Sequence, residues 1–331
     1  MWRCLLILSV AVLLVGAAPA RANPDSLLEQ QRFDRIVNTV GYRLAASAGD
    51  LCSDKVALPG FLLHDLSQYS ASDTADARIA FGFEDAPLIL AVAPASRAFA
   101  SGLREGDALL EIDGHALPPP NARQHNSYAR IAAILELLDE EARDNRLALR
   151  VRRAGETLLI DIVLESGCAS RFQTHASTSI DARADGQYVQ VNTGLITFAG
   201  TEEMLAAVIS HELAHNILHH RVRLDARGVR RGLLGQLGRS ARLVRKSEEE
   251  ADRLSVYLMD RAGYPPDAII AFLTRYRSSH VLGFLRAPTH MGEGDRIALV
   301  TQEIARLNAM RAAGESPRPA FMMGPGLPEL D

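Results

Sequence analysis

The chain has 331 residues, close to half of them apolar, enough for two domains of ordinary size or one large one. A formal net charge of −4 and an aromatic content of 5% exclude a globally basic field and argue against a stacking platform, so no nucleic-acid partner is expected.

Arg3 is followed by an apolar run from Cys4 to Ala18 and then by Ala20-Arg21-Ala22, with small residues at the two positions a signal peptidase reads. The run is shorter than the roughly 20 residues of a spanning helix. Residues 1–22 are read as an export signal cut after Ala22, which places the chain in the periplasm or otherwise outside the cytoplasm. Left uncut, the same segment is a membrane anchor. Two cysteines remain after the signal, Cys52 and Cys168, and in an exported chain they read as one disulfide. The loop it closes is long, so its stabilisation is at most roughly 4–5 kcal/mol. Two separate buried thiols are the alternative.

From Pro24 to Ala48 apolar residues recur at three- and four-residue steps (Phe33, Ile36, Val37, Val40, Leu44), which predicts a helix capped by Asp25 or Ser26. Gly49-Asp50 ends it. Residues 23–79 are assigned to this helix and a connector, and 80–166 to a β-rich module. The module holds a strand at Leu88–Val92, a second at Ala108–Ile112 closed by Asp113-Gly114, and a helix from Tyr128 to about Arg143. An alternating hairpin follows, Arg146 to Arg152 and Leu158 to Leu164, turning at Arg153-Ala-Gly-Glu. Ser96, Ala100-Ser-Gly102-Leu103, Gly106-Asp107 and Ile112-Asp-Gly114 carry a resemblance to PDZ domains of bacterial proteases. The resemblance implies binding of extended peptides, often free C-termini, by strand addition. Phe81-Gly82-Phe83 is a weak stand-in for the carboxylate loop of such domains, and a packing or gating role is the alternative.

Residues 167–313 form the second unit, followed by a Pro- and Gly-rich tail, 314–331. Asp181 to Gly186 reads as a polar turn and Tyr188-Val-Gln-Val-Asn-Thr as a strand. Thr201-Glu-Glu caps a helix through His220, a second helix runs from Ser247 to Ala262, another opens at Asp267, and the last covers Asp295 to Ala312.

His211-Glu212-Leu-Ala-His215 lies on the first of these helices. Residues four apart share a helical face, so both imidazoles can reach one ion. Zinc suits imidazole nitrogen and, in catalytic sites, needs a third protein ligand and an open position for water. Glu212 can take the proton of that water as it attacks a peptide carbonyl. Glu248 and Asp252 are again four apart on the next helix. Glu248 completes a His-His-Glu set, and Asp252 can fix the tautomer of a ligating histidine. An acidic first turn favoured by the helix dipole also explains Glu248 to Glu250, but not their coincidence with the histidine pair.

These residues resemble the peptidase family of HtpX, BepA, Oma and the CAAX prenyl endopeptidases, which carries HExxH and then a Glu-x-x-Ala-Asp helix, here Glu248 to Asp252. The resemblance implies an α+β protein with a mainly helical gluzincin domain and a small edge sheet. Because Cys52 lies just before the β-rich PDZ-like module and Cys168 just after it, the module is read as inserted between the first helix (23–79, part of the catalytic domain) and the rest of that domain. The resemblance also implies one zinc per chain on His211, His215 and Glu248, with Glu212 as base. The strand before the zinc helix then holds the polypeptide substrate, which selects Val189, Val191 and Asn192. The family's third element, Thr-His-Pro followed by Arg-Ile, reads here Thr289-His290-Met291 and Arg296-Ile297. His290 could stabilise the oxyanion, cap the zinc at rest or be a plain loop residue. Arg296 could orient this segment or the facing strand. His220 takes no ligand role.

Residues 221–246 carry eight arginines and one lysine against one acid. They read as a peripheral membrane contact, a lid or a solvated excursion, the last favoured by four glycines. The function expected is cleavage of unfolded or misassembled envelope proteins. A zinc-containing chaperone-like factor and a peptide-binding adaptor are the alternatives.

Overall fold

The computed structural model describes residues 23–121, 123–229, 238–279 and 292–324. The signal segment, His290 and the centre of the arginine-rich stretch lie outside the described residues. No helix among the described residues is long and apolar enough to cross a membrane.

The first helix, α1, spans Pro24–Ser47. Its cap is Asn23 rather than Asp25 or Ser26. The Asn23 side chain accepts from the Ser26 amide at 2.8 Å, and Ser26 Oγ accepts from the Asn23 amide at 3.0 Å. This reciprocal pair satisfies two amides that the first turn leaves open, and Pro24 fits the first helical position because it has no amide to satisfy.

After α1, β1 (Lys55–Leu58) opens a neck. A six-stranded antiparallel sheet follows, made of β2 (Phe61–His64), β3 (Leu88–Val92), β4 (Ala108–Ile112), β5 (His115–Ala116), β6 (Arg146–Arg153) and β7 (Glu156–Val163). Its order is β2-β3-β4-β6-β7, with β5 on β4. Three helices accompany it: α2 (Thr74–Phe81), α3 (Arg97–Ala100) and α4 (Ala129–Glu141). The sheet starts at Phe61, upstream of the boundary at 80 drawn from the sequence. Phe61-Leu-Leu-His64 is a short run with no telling alternation, and what makes it a strand is its antiparallel pairing with β3. The chain leaves this unit through β8 (Glu165–Cys168), which pairs antiparallel with β1, Lys55 opposite Cys168. The disulfide Cys52–Cys168 closes the neck, its Cα atoms 5.6 Å apart.

The remainder holds β9 (Arg171–His175), β10 (Ala182–Ala184) and β11 (Tyr188–Asn192), then α5 (Thr193–Ala199), α6 (Glu202–Ile217), α7 (His220–Ala226), α8 (Gly238–Arg261), α9 (Asp267–Ser278) and α10 (Glu293–Ala312). Part of the 181–186 turn is thus strand β10, antiparallel to β11, while β9 lies parallel on its other side. The helix expected to run through His220 stops at Ile217, and His219 takes a left-handed φ of 51° before α7. α8 starts nine residues before Ser247, because burial of Ala241 and Leu243 outweighs the weak propensity around Gly238.

One apolar core joins α1, the three-stranded sheet, α6 and α8, and a second fills the six-stranded unit. α1 touches both units. Gly41 sits so close to the Phe172 ring that a Cβ would lie 2.2 Å from it. Arg35 makes two 2.7 Å hydrogen bonds to Glu105, and Tyr42 donates to Glu165 at 2.5 Å.

A satellite core under α2 buries His64 among Phe81 and Phe83, with Nδ1 2.9 Å from the Tyr69 hydroxyl. Burial pushes the His64 pKa down to about 3. An unfolded histidine titrates near 6.5, so below that pH only the unfolded chain gains this proton, and stability falls as pH falls toward 3. Asp34, raised to about 6 by burial against hydrogen bonds from Thr174 and Gln30, acts with the opposite sign. The effect is therefore read as a difference: between pH 7.5 and 5.5 the wild type should lose about 1.4 kcal/mol more than His64→Gln in denaturant melts. An equal loss in both would contradict it.

Candidate metal centre

α6 is buried along Leu205, Ile209, Leu213 and Ile217, and Thr201 caps it, accepting from the Met204 amide at 3.3 Å. This fixes the rotation of the helix, so His211 and His215 project together toward α8. α8 packs its own buried stripe, Ala251, Leu254 and Leu258, against the same core and presents Glu248 to the two rings.

The three side chains converge. The Nε2 atoms of His211 and His215 are 3.2 Å apart. Glu248 Oε2 lies 3.4 Å from the first and Oε1 3.6 Å from the second. Among the described residues, this trio forms the one group able to hold a metal ion. A tetrahedral zinc with bonds near 2.0–2.1 Å separates its ligand atoms by about 3.3 Å. The spacing and the N/N/O donor set therefore fit zinc.

Behind His211, Nδ1 lies 2.9 Å from Asp252 Oδ1. Arg296, on α10, grips the same carboxylate through Nε at 2.8 Å and Nη2 at 2.6 Å, and Nη2 lies 3.4 Å from His211 Nδ1. Burial would raise the Asp252 pKa, but Arg296 and His211 hold it near 2. The carboxylate is thus a permanent acceptor that turns Nε2 of His211 toward the metal position. For His211 burial is outweighed by Asp252 and Glu248, which raise its pKa in the metal-free chain. Burial lowers that of His215. Burial also lifts Glu212, against the pull of His211 and with help from Glu248 and Asp181, to about 7.

Beside His215 runs a cleft of about 300 Å³ lined by Ala184, Gly186, His220, Leu224, Val244 and Glu248, among others. Asn216, buried on α6, ties the β10–β11 turn to this helix by accepting from the Gly186 amide at 2.8 Å.

One expectation needs correction. Val189 and Val191 do not face the cleft. β11 is the central strand of its sheet, with β10 and β9 on either side, and both valines are wholly buried. Asn192 is also buried and donates to Ser179 Oγ at 2.7 Å. The strand beside the metal position with an open edge is β10. Asn192 donates to the Asp181 carbonyl and Asp185 to the Tyr188 carbonyl, so residues 181, 183 and 185 point their backbone groups at β11. By alternation, those of Ala182 and Ala184 point away from it. Arg296, expected with Asp252 behind the metal ligands, donates to that carboxylate on α8.

Sequence reasoning also missed His220 and Glu250, which lie behind His215. The available signal was a histidine shortly after the zinc pair together with an acidic run in which only Glu248 and Asp252 had been given tasks.

Asp252→Asn keeps the shape but offers a weaker acceptor. It should loosen zinc about 10–100-fold in a chelator competition. Wild-type affinity in the variant would remove Asp252 from this role.

The family model of peptidase family M48 matches residues 150–234, a stretch that includes His211, Glu212 and His215 and ends before Glu248. A comparison with curated proteins finds no match. The family match, on a site whose three donors are spaced for zinc, supports a metallopeptidase of family M48, a hydrolase of peptide bonds.

Proposed function

We propose that the chain is an exported zinc endopeptidase that cuts unfolded or misassembled envelope polypeptides, with the six-stranded unit recruiting or gating them. The observation that carries the catalytic part is the mutual spacing of His211, His215 and Glu248. The export signal read in residues 1–22 and a disulfide across the neck motivate the location.

Zinc, when bound, polarises the scissile carbonyl and makes its water acidic. The chain's own residues do the rest. Glu212 receives the water proton on its carboxylate and returns it to the leaving amine. Its place one residue after His211, on the helix that carries both zinc histidines, suits a group that must do both. Asp252 and Arg296 hold His211 in place. The outward backbone groups of Ala182 and Ala184 take an extended substrate as an added strand, which favours unfolded chains over folded ones. β2, an edge strand of the six-stranded sheet, offers a second place for an extended chain end, the role implied by the PDZ-like residues.

Casein cleavage tests the mechanism. Glu212→Gln should lower kcat about 10²–10⁴-fold with zinc retained. Full activity in that variant would end the proteolytic mechanism, and bound zinc with no cleavage of any unfolded protein by the wild type would favour a chaperone-like role. Ala184→Pro removes an outward amide without touching the β10–β11 ladder. It should cut kcat/KM at least about tenfold, with zinc content unchanged. Unchanged kcat/KM would mean that the substrate does not pair with β10.

A further inference from the structure

The two zinc histidines are held by different means. His211 leans directly on a carboxylate, as described above. Nδ1 of His215 instead lies 2.8 Å from Nδ1 of His220. Nε2 of His220 lies 3.2 Å from Glu250 Oε2, and Arg223 Nη1 reaches the same oxygen at 2.8 Å.

The order of these contacts fixes the protons. With the Nε2 lone pair of His215 turned to the metal position, its hydrogen sits on Nδ1. Nδ1 of His220 must then accept, so the hydrogen of His220 sits on Nε2 and is donated to Glu250. Glu250 accepts twice on one oxygen, and Arg223 balances its charge. Every link has one donor and one acceptor. The result parallels the other ligand: each histidine is backed by a carboxylate from α8, and each carboxylate by an arginine, with one imidazole interposed on the His215 side.

The backbone is bent to achieve this. In an unbroken helix a residue five positions beyond His215 stands about 140° round the axis from it. The left-handed His219 breaks the helix and brings His220 back beneath the His215 ring. Such a φ is costly outside glycine and persists only where the surroundings hold it. Here the His219 side chain is fastened to Asp54 and Ser53, each at 3.4 Å, next to the disulfide at Cys52. His220 and Glu250 are both almost wholly buried. Burying an imidazole and a carboxylate is unfavourable unless each is paired. His220 is paired on both nitrogens, and Glu250 is paired through Oε2, while its buried Oε1 has no hydrogen-bond partner among the described residues.

We propose that His220, Glu250 and Arg223 are positioning residues for His215, a chain that sets its tautomer and ring plane for the metal. The proposal rests on the zinc reading of the site.

The test compares wild type, His220→Ala, His220→Asn and Glu250→Gln as full chains. Zinc affinity is read by chelator competition and ligand geometry by the visible spectrum of the cobalt(II)-substituted protein. His220→Ala leaves the Nδ1 hydrogen of His215 without its acceptor and should weaken zinc about 10–100-fold and shift the cobalt bands. His220→Asn places an amide oxygen where Nδ1 stood and should recover most of the affinity. Glu250→Gln keeps the volume, removes the charge and should fall between wild type and His220→Ala. Equal affinity and equal spectra in wild type and His220→Ala would overturn the proposal, as would an Asn variant no better than Ala. If His220→Ala does not fold, Glu250→Gln decides alone, and wild-type affinity there overturns it. A wild type that takes up no zinc removes the proposed function itself and this chain with it, whereas zinc-binding wild type with indifferent variants removes only the chain.

Discussion

The site depends on the packing of α6 against α8. Neither helix makes a metal site alone: α6 supplies two imidazoles four residues apart, and α8 supplies the carboxylate that closes the set. The buried stripe of each helix, Leu205 to Ile217 on one and Ala251 to Leu258 on the other, sets the rotation at which the three donor atoms meet. A tetrahedral zinc tolerates only small errors in ligand spacing, so sub-ångström packing in the core becomes a functional requirement. α1 supports the arrangement from behind, packing on α6, on β9 and on the six-stranded unit.

Charge around the metal position is handled pairwise. Asp252 and Glu250 are buried acids, which would be unfavourable without partners. Arg296 meets the first and Arg223 the second. Glu212 feels Asp181 and Arg296 as well as His211 and Glu248. The neck has a related task. β1 and β8 pair at the junction of the two units, and the disulfide ties Cys168 on β8 to Cys52 just ahead of β1, beside the segment that contacts His219.

Much of this was legible in the sequence. The spacing His211-Glu212-x-x-His215 and Glu248 with Asp252 marked the site, because helical periodicity turns sequence separation directly into shared faces. The 146–163 hairpin was readable from local alternation for the same reason, and Leu88–Val92 and Ala108–Ile112 from short, mostly apolar runs beside turn residues. What escaped notice was decided by partners distant in sequence. β2 is a strand because β3 lies beside it. β10 is a strand because β11 does, although Ala182-Arg-Ala184 in isolation looks like a turn. The alternation of Tyr188 to Asn192 was a true strand signal but a misleading functional one. It reports which side chains are buried, and here the buried strand is the central one, so the open edge belongs to its less conspicuous neighbour. His220 was placed on the wrong helix because nothing local announces a left-handed His219.

X-ray absorption at the zinc edge of the zinc-loaded protein tests the central claim most directly. The account predicts one zinc per chain with two imidazole nitrogens and carboxylate and water oxygens at about 2.0–2.2 Å. No bound zinc, or a zinc whose nearest shell lacks imidazole, would contradict it.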